Sequence, residues 1–419
     1  MVKEGYKETI LGTLPKDWRV DLVDECCEIL DKHREPLNQK ERDEIPGDIP
    51  YYGANGIVDY VGEYIFDEKL ILLAEDGGHF EEYRDRPIAY IIEGKSWVNN
   101  HAHVLKPKDK YHLEWIYYTL VHKNILPFVY GSTRMKLNQK SLKTIPVQIP
   151  PLSEQEKIAS ILSSVDKSIE KTDEVIEETK ELKKGLMQEL LTKGIGHNEF
   201  KEVKVGPKIY KIPINWTINN LNPNKGLTKK VTDGSHHSPT QSDDGQFHYA
   251  TVTNLSPDGI DFNSCNRINK DAYDNLVSSG CKPEINDVLF SKDGTVGISA
   301  VFDDARDVVL LSSIAIIRLT DNINPYYLKY YLSSRVIRDQ IKSFKSGTAI
   351  RRVVLRDIKK FKIMLPSIDE QKKIASILSS VDAKIKKEEE YKAKLERLKK
   401  GLMQKLLTGE IRVNTEMEV

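Results

Sequence analysis

Residues 157–166 of the chain read KIASILSSVD, and residues 373–382 read KIASILSSVD again. Ten identical residues in a row do not arise twice by chance, so the sequence indicates an internal duplication. KKGLMQ also recurs, at 183–188 and 399–404, with the same offset of 216 residues and no insertion or deletion between the matches. The sequence therefore predicts a repeated frame of fixed length.

The repeated stretches are predicted to be long helices. No proline occurs between Pro151 and Pro207 or after Pro366, and Ser153 with Glu156 forms a capping-box pattern. A helix of about 40 residues is about 60 Å long, which suits a spacer better than a core helix. Apolar side chains recur every three or four residues, as in a coiled-coil seam. They are Ile158, Leu162, Val165, Ile169, Ile176, Leu182, Leu186 and Leu190, and then Ile374, Leu378, Val381, Ile385, Leu395, Leu398, Leu402 and Leu406.

Each helix has small residues near its start and a glycine near its end. An antiparallel pair with aligned centres places each glycine opposite the small residues of the other helix, where the backbones can approach closely. We therefore predict an antiparallel pair related by a pseudo-two-fold axis; the alternative is that the glycines mark fraying helix ends. The residues expected at this contact are Ala159, Ser163, Gly185, Ala375, Ser379 and Gly401.

The rest of the chain forms two globular segments of similar size, so the predicted fold class is α+β. The domains are residues 1–150 and 200–366, and the long helices lie in 151–199 and 367–419. Short apolar runs predict strands in both α/β domains, and an aromatic run predicts a late helix in each. The strands are expected at 69–74, 89–92, 287–290 and 308–311, and the helices at 112–122 and 326–344.

Charge is unevenly distributed along the chain. The 63 basic and 63 acidic residues balance overall, yet residues 95–150 carry 9 basic and 2 acidic side chains, and residues 318–366 carry 12 and 3. Basic patches attract polyanions whatever the total charge. Two such patches at equivalent places predict contact with nucleic acid, whereas a single patch would more simply be a solvated surface.

Composition limits the protein class. Four cysteines at irregular spacing suit neither a disulfide framework nor a zinc site. We find no apolar run of about 20 residues, and the polar N-terminus does not resemble a signal peptide. These features predict a cytoplasmic protein without membrane association.

The interiors of the two domains differ. Domain 1 contains REPL at 34–37, YYGANG at 51–56 and NNHAH at 99–103, whereas domain 2 contains DGSHHSP at 233–239. Together with the paired KIASILSSVD and KKGLMQ elements, these motifs make the whole chain resemble the specificity (S) subunits of type I restriction–modification systems. The interior motifs resemble two different kinds of target recognition domain.

The resemblance implies a function and partners. Each target recognition domain would bind one half of a split, asymmetric sequence in double-stranded DNA. The antiparallel helices would dock two modification (M) subunits, through which two restriction (R) subunits join where present. S-adenosylmethionine, ATP and Mg would then belong to the partner subunits, and this chain would carry no cofactor and no catalytic residue.

Candidate DNA-contacting residues fall into two groups. Cations and hydroxyls that follow a glycine suit phosphate oxygens, and polar loop residues suit base edges. The alternatives are that the cations contact acidic helix surface and that the loops are simple turns. The residues expected to contact phosphates are Arg134, Lys136, Lys140, Thr348, Arg351, Arg352 and Arg356. The base-edge group is Arg34, Arg42, Asn55, Asn99, Asn100, His101, Ser235, His236, His237 and Asn254.

Enzymatic patterns were not found. Gly94-Lys95-Ser96 resembles the end of a P-loop, but Ala89 occupies the position that needs the first glycine. His236 and His237 lack further ligands at a spacing typical of a metal site. The competing hypotheses are a cryptic or fused DNA-modifying enzyme and a non-catalytic protein–protein spacer.

Overall fold

A computed structural model describes residues 4–131, 134–344 and 352–415 of the chain. The chain forms two compact units. Unit 1 comprises Met1–Asp173 and Glu390–Val419, and unit 2 comprises Glu174–Glu389. The boundary between the units falls within both long helices, whereas the segments predicted from sequence follow the ends of the helices.

Unit 1 contains twelve strands and four short helices among its described residues. The strands are β1 (Tyr6–Thr9), β2 (Gly12–Pro15), β3 (Arg19–Leu22), β4 (Cys27–Ile29), β5 (Ile49–Gly53), β6 (Gly56–Val61), β7 (Phe66–Asp67), β8 (Leu70–Ala74), β9 (Ala89–Ile92), β10 (Lys95–Val98), β11 (Ala102–Pro107) and β12 (Pro146–Ile149). The helices are α1 (Val23–Cys26), α2 (Gln39–Glu44), α3 (Leu113–Leu120) and α4 (Gln139–Lys143). The first long helix, α5 (Leu152–Leu190), follows.

Unit 2 repeats this order with local differences. Its strands are β13 (Phe200–Val205), β14 (Lys208–Pro213), β15 (Thr217–Asn220), β16 (Thr228–Asp233), β17 (Phe247–Ala250), β18 (Leu255–Ser256), β19 (Gly259–Ile260), β20 (Asn266–Ile268), β21 (Val288–Ser291), β22 (Ser299–Val301), β23 (Val308–Leu310), β24 (Ile314–Leu319) and β25 (Lys362–Leu365). Its short helices are α6 (Lys270–Ser278), α7 (Pro325–Ser333), α8 (Arg335–Ser343) and α9 (Leu355–Ile358). The second long helix is α10 (Ile368–Leu406).

The central sheet has the same strand order in both units. It is β4-β11-β8-β9 in unit 1 and β16-β24-β21-β22 in unit 2, and all neighbours are antiparallel. A second sheet in each unit contains one parallel pair, β5 with β10 and β17 with β23. The duplication therefore extends into the interiors, although their loop motifs differ.

Most local predictions agree with the structure. The four expected strands correspond to β8, β9, β21 and β23, and the helix expected at 112–122 is α3. The helix expected at 326–344 is instead two helices, α7 and α8. Ser334 interrupts it, because its backbone is extended (φ −75°, ψ 164°).

Within each unit the two long helices run antiparallel, as predicted. In unit 1, Lys399 lies 2.5 Å from Asp166, and Lys392 lies 2.7 Å from Asp173. Residue numbers therefore rise along one helix as they fall along the other. In unit 2, Lys183 lies 2.5 Å from Asp382 and Lys180 lies 3.7 Å from Glu389, which shows the same opposite directions.

The helix ends belong to the cores of the units. In unit 1 the start of α5 (Ile158) and the end of α10 (Leu406, Leu407) share one apolar cluster with Trp18. In unit 2 the start of α10 and the end of α5 join a cluster with Trp216. Because each core needs an end of both helices, the units divide the helices in their middle.

The predicted glycine packing is wrong. Gly185 and Gly401 are exposed, and a Cβ at either would meet no described atom within 4 Å outside the local helix backbone. The glycines therefore do not bring the two helices together. Two predicted seam residues are likewise outside the seam, since Leu182 is 56% exposed and Leu398 is 51% exposed.

The small residues at the helix starts do pack inward in part. Ala159 and Ala375 are buried, at equivalent positions of the repeat. Ser379 shares a hydrogen bond of 3.1 Å with Tyr330 of its own unit. Ser163 donates to the carbonyl of Ser160 in its own helix. Ala375 and Ser379 thus serve the contact between a helix and its globular domain, whereas the hydrogen bond of Ser163 stays within its helix.

A search of the described residues for a helix long and apolar enough to cross a membrane found none.

Candidate nucleic-acid interface

An Asp–Gly turn follows the central strand of each unit. In unit 1 the turn contains Asp76 and Gly77 after β8, and in unit 2 it contains Asp293 and Gly294 after β21. Both glycines have left-handed backbones, with φ of 66° and 70°, which glycine adopts without steric cost. The two turns are equivalent products of the duplication.

Each turn pairs with the basic segment of its own unit, the stretch that contains the predicted phosphate-contacting residues Lys136 in unit 1 and Arg352 in unit 2. Asp76 forms an antiparallel bridge with Lys136, and Asp293 forms one with Arg352. Because backbone bridges set strand register, each basic segment has a defined position beside its turn. The predicted phosphate-contacting segments therefore occupy equivalent places in the two units.

In unit 1, the turn lies at a cleft of about 380 Å³ that gathers many predicted residues. Its lining comes from the β5–β6 hairpin, from the NNHAH segment and from the basic segment, which are distant in sequence. The lining residues are Pro36, Leu37, Arg42, Tyr51, Gly53, Ala54, Val58, Asp76, Gly77, Asn99, Asn100, His101 and Arg134. The antiparallel hairpin and the sheet thus bring the separate motifs of domain 1 together.

Asp76 organises the charges at this cleft. Its carboxylate lies 2.7 Å from the guanidinium of Arg134 and 2.7 Å from Nδ1 of His101. Burial acts to raise the pKa of Asp76, but hydrogen bonds from Arg134 and His101 outweigh burial and hold the pKa below its ordinary value. Arg134 and His101 remain 65% and 40% exposed, so both can reach a ligand.

Two predicted arginines of unit 1 are held inward. Arg34 donates to Glu75 and to the carbonyl of Ala102. Arg42 donates to Asp59 and to the carbonyl of Leu37. Their fixed partners give both arginines structural roles.

Asn99 is also structural, since it is buried and accepts from the backbone N–H of His101. We therefore leave Arg34, Arg42 and Asn99 out of the proposed interface. The accessible candidates of unit 1 are Asn55, Asn100, His101, Arg134, Lys136 and Lys140.

In unit 2, the DGSHHSP motif forms a tight loop after β16. A Cβ on Gly234 would overlap the carbonyl of Leu310, so the loop packs directly on the neighbouring backbone. Ser235 is buried and donates to the carbonyl of His237, whereas His236 and His237 are exposed. The histidines therefore remain candidates for base contact, and Ser235 is a loop-forming residue.

Asn254 is likewise structural. It is buried, accepts from the N–H of Thr251 and donates to the carbonyl of Ser264, which fixes a short 3-10 turn. We leave both Asn254 and Ser235 out of the proposed interface. Arg352 and Arg356 are 52% and 80% exposed and remain candidates. The predicted contacts Thr348 and Arg351 lie outside the described residues.

A buried charge cluster in unit 1 includes Glu75, the residue before the Asp–Gly turn. Asp31, Glu75 and His103 are close enough together to ligate a metal ion. Both ring nitrogens of His103 are engaged, with Asp31 at 2.6 Å and the carbonyl of Leu137 at 2.8 Å, and Arg34 lies 2.7 Å from Glu75. Hydrogen bonds and ion pairs within the chain thus engage these ligand atoms, and the cluster forms a buried network of charged and polar groups.

Sequence reasoning missed two features. The Asp–Gly turns carry a readable signal, since the dipeptide follows a buried apolar run in both domains at 76–77 and 293–294. The second missed feature is the hydrogen bond that anchors the start of each long helix to its globular domain. Trp18 donates to Glu154 at 3.0 Å, and Trp216 donates to Glu370 at 3.2 Å. Trp18 and Trp216 each follow a proline by three residues in the sequence, but this pattern does not identify the glutamates that they contact.

These observations define the class of protein: a duplicated α+β chain with two equivalent basic segments beside dissimilar polar loops. Comparison with known sequences identifies the family. The sequence model described as the type I restriction modification DNA specificity domain matches residues 15–181 and 240–397, which together exceed half of the chain. The chain belongs to this family of type I restriction–modification specificity subunits.

Relatives match over nearly their full length. The chain is 29% identical over 381 residues to a putative type I restriction enzyme specificity subunit of Haemophilus influenzae, covering 90% of each chain. It is 28% identical over 439 residues to a putative specificity subunit of Methanocaldococcus jannaschii, covering 99% and 98%. The S subunit structure from M. genitalium has the same fold, with a TM-score of 0.59, 15% identity and coverage of 93% and 96%.

Proposed function

We propose that the chain reads an asymmetric, bipartite sequence in double-stranded DNA, one half-site with each unit. The observation that carries this proposal is that, in both units, a backbone bridge joins an Asp–Gly turn to a basic segment. An equivalent phosphate-contacting frame in both units supports equivalent docking on the duplex, because phosphate contacts set position without reading sequence. The loops beside the junctions differ, which supports different base readout in the two halves.

The accessible candidates take separate roles in this proposal. Arg134, Lys136 and Lys140 in unit 1, and Arg352 and Arg356 in unit 2, contact phosphates. His236 and His237 read base edges for unit 2. For unit 1 the readers are Asn55, Asn100 and His101. Asn55 already donates to the carbonyl of Gly77, which holds the hairpin tip at the Asp–Gly turn.

Two modification subunits attach to the long helices in this proposal. Leu182 and Leu398 are large apolar side chains at equivalent positions of the repeat, and both are more than half exposed. A single exposed apolar side chain is common on a protein surface, so only the repetition of these leucines at equivalent positions points to a partner. Their duplication supports two equivalent attachment sites, with restriction subunits joining through the modification subunits where present.

The chain acts without catalytic residues of its own in this proposal. Methyl transfer, ATP hydrolysis and cleavage belong to the partner subunits, which bring S-adenosylmethionine, ATP and Mg. The complex works in the cytoplasm on cellular DNA. The buried network at Asp31, Glu75 and His103 supports a structural role for that cluster, since Arg34 and Lys136 lie against its carboxylates.

An exchange of one recognition domain tests the proposal. Residues 200–366 are replaced by the corresponding domain of a relative, so that both long helices are kept. We expect methylation mapping, in cells that also express the cognate modification subunit, to show a change in one half of the target only. A matched exchange of residues 1–150 should change the other half. Changes in both halves from one exchange would contradict independent reading.

A further inference from the structure

The residue before each Asp–Gly turn occupies an equivalent position in the two units. This residue is Glu75 in unit 1 and Lys292 in unit 2. The carbonyl of Glu75 accepts from the backbone N–H of Leu137, and the carbonyl of Lys292 accepts from that of Val353, both at 2.7 Å. The backbone on either side of this position is thus tied to the basic segment in the same way.

The side chain at this position reaches the end of the first strand of the central sheet or the loop after it. Glu75 lies 2.7 Å from Arg34, which follows β4, and Lys292 lies 3.1 Å from Asp233, which ends β16. Strands β4 and β16 hold the same place in their sheets. The two ion pairs therefore join equivalent loops to equivalent turns, and their polarity is reversed.

Both ion pairs are shielded from water. The side chains of Lys292 and Asp233 are 2% and 10% exposed, and those of Glu75 and Arg34 are both 12% exposed. A buried charge that loses its partner is strongly unfavourable, whereas an exposed pair contributes little. Each loop therefore matches the turn of its own unit and would meet a like charge at the turn of the other.

In unit 2 this pair connects the two groups of proposed DNA contacts. Asp233 is three residues before His236, and Lys292 is adjacent to Asp293, which bridges to Arg352. We propose that Lys292, like Glu75 in unit 1, is a positioning residue for sequence reading. It sets the base-reading loop at a fixed place relative to the phosphate-contacting segment. This inference rests on the proposed function, because it assigns how the same interface achieves its specificity.

Exchanging the polarity of the pair tests the inference. Lys292→Glu places a second carboxylate beside Asp233, and adding Asp233→Arg restores a pair with the polarity of unit 1. The assay uses the complex with the cognate modification subunit and short duplexes that carry single base changes in one half-site. We expect Lys292→Glu to reduce discrimination in the unit 2 half-site by about tenfold, the effect of losing one base-pair readout, and the double variant to recover most of it.

Two further variants make the result interpretable. Lys282→Glu breaks the exposed pair with Asp307 in the same unit, where the side chains are 41% and 50% exposed, and should leave discrimination unchanged. If Lys292→Glu does not fold, the neutral double variant Lys292→Met with Asp233→Asn replaces it. That variant leaves no unpaired charge and should fold, yet it should discriminate less well in the same half-site.

The outcomes separate this inference from the proposed function. If the wild-type complex methylates no bipartite sequence, the proposed function fails. If it does, but the folded Lys292 variants discriminate as the wild type does, the positioning role is refuted. Equal loss in both half-sites would also refute it, since a defect in general stability does not choose between halves.

Discussion

Gly194 and Gly409 lie just beyond the ends of the two long helices, four residues after Leu190 and three residues after Leu406. Both have left-handed backbones, with φ of 70° and 68°. A Cβ at Gly194 would lie 2.6 Å from the ring of Trp216, and one at Gly409 would lie 2.5 Å from Pro15. These glycines let each helix end close against the start of a globular domain, whereas Gly185 and Gly401, which we had expected to bring the two long helices together, make no such contact.

Alanine substitutions should separate the two kinds of glycine. Gly194→Ala and Gly409→Ala should each lower the free energy of unfolding by about 1–2 kcal/mol or more, because alanine resists the left-handed backbone and the added Cβ overlaps neighbouring atoms. Gly185→Ala and Gly401→Ala should raise it by about 0.5–1 kcal/mol, because both sites are exposed helix interior. Urea unfolding of the four purified variants measures the difference. Destabilisation by Gly185→Ala would restore the close-packing interpretation.

At the scale of elements, a repeated clasp joins the long helices to the globular domains. Tyr118 donates to Asp166 at 2.7 Å, and Lys399 of the other helix lies 2.5 Å from the same carboxylate. Tyr330, Asp382 and Lys183 repeat this arrangement in unit 2. Each clasp thus ties a domain to both helices at once.

The pKa values of Tyr118 and Tyr330 are both raised, with burial as the main cause. Burial and a hydrogen bond to Asp166 raise the pKa of Tyr118 above its ordinary value. Burial, together with the hydrogen bond to Asp382, also raises that of Tyr330. Both phenols therefore stay protonated and keep donating throughout the neutral range.

Removing one hydroxyl at a time tests the clasps. Tyr118→Phe and Tyr330→Phe should each lower the free energy of unfolding by about 1–2 kcal/mol, since a hydrogen bond to a charged group is lost. The loss should be at least as large for Tyr330→Phe, because its hydroxyl also shares a hydrogen bond with Ser379. Tyr391→Phe, on the 49% exposed side chain of α10, should have almost no effect in the same denaturant titration. No loss from either variant, or a clearly larger loss from Tyr118→Phe than from Tyr330→Phe, would contradict this role of the clasps.

At the scale of the whole molecule, one fold occurs twice with two different sets of loops. The central sheets share their strand order, and the Asp–Gly turns share their backbone bridges. Duplication keeps the contacts that the frame needs and leaves the loops free to diverge. The reversed ion pairs Arg34–Glu75 and Asp233–Lys292 show how far this divergence reaches into the buried part of each unit.

If both units read DNA, the two long helices should determine the length of the unread gap. Seven residues of heptad sequence inserted into both helices, after Asp173 and after Glu389, add about 10 Å of helix. We expect the methylated target to keep both half-sites and to gain about three base pairs between them. Insertion into one helix alone should abolish methylation, because the antiparallel contacts lose their register. An unchanged gap after the double insertion would contradict this role of the helices.

The sequence by itself determined the duplicated frame, the long helices, several central strands and the two basic segments. These features are local or repeated, so periodicity, capping patterns and composition report them directly. The resemblance carried by KIASILSSVD, KKGLMQ and the interior motifs also identified the family correctly.

Only the tertiary structure decided which of these side chains face solvent. Arg34 looks like a free polar loop residue in the sequence, yet Glu75 and the carbonyl of Ala102, both distant in sequence, supply its partners. Glu75 is 41 residues from Arg34, and Lys292 is still farther from Asp233. Such pairs depend on which strands the sheet places side by side, and local periodicity holds no information about that choice.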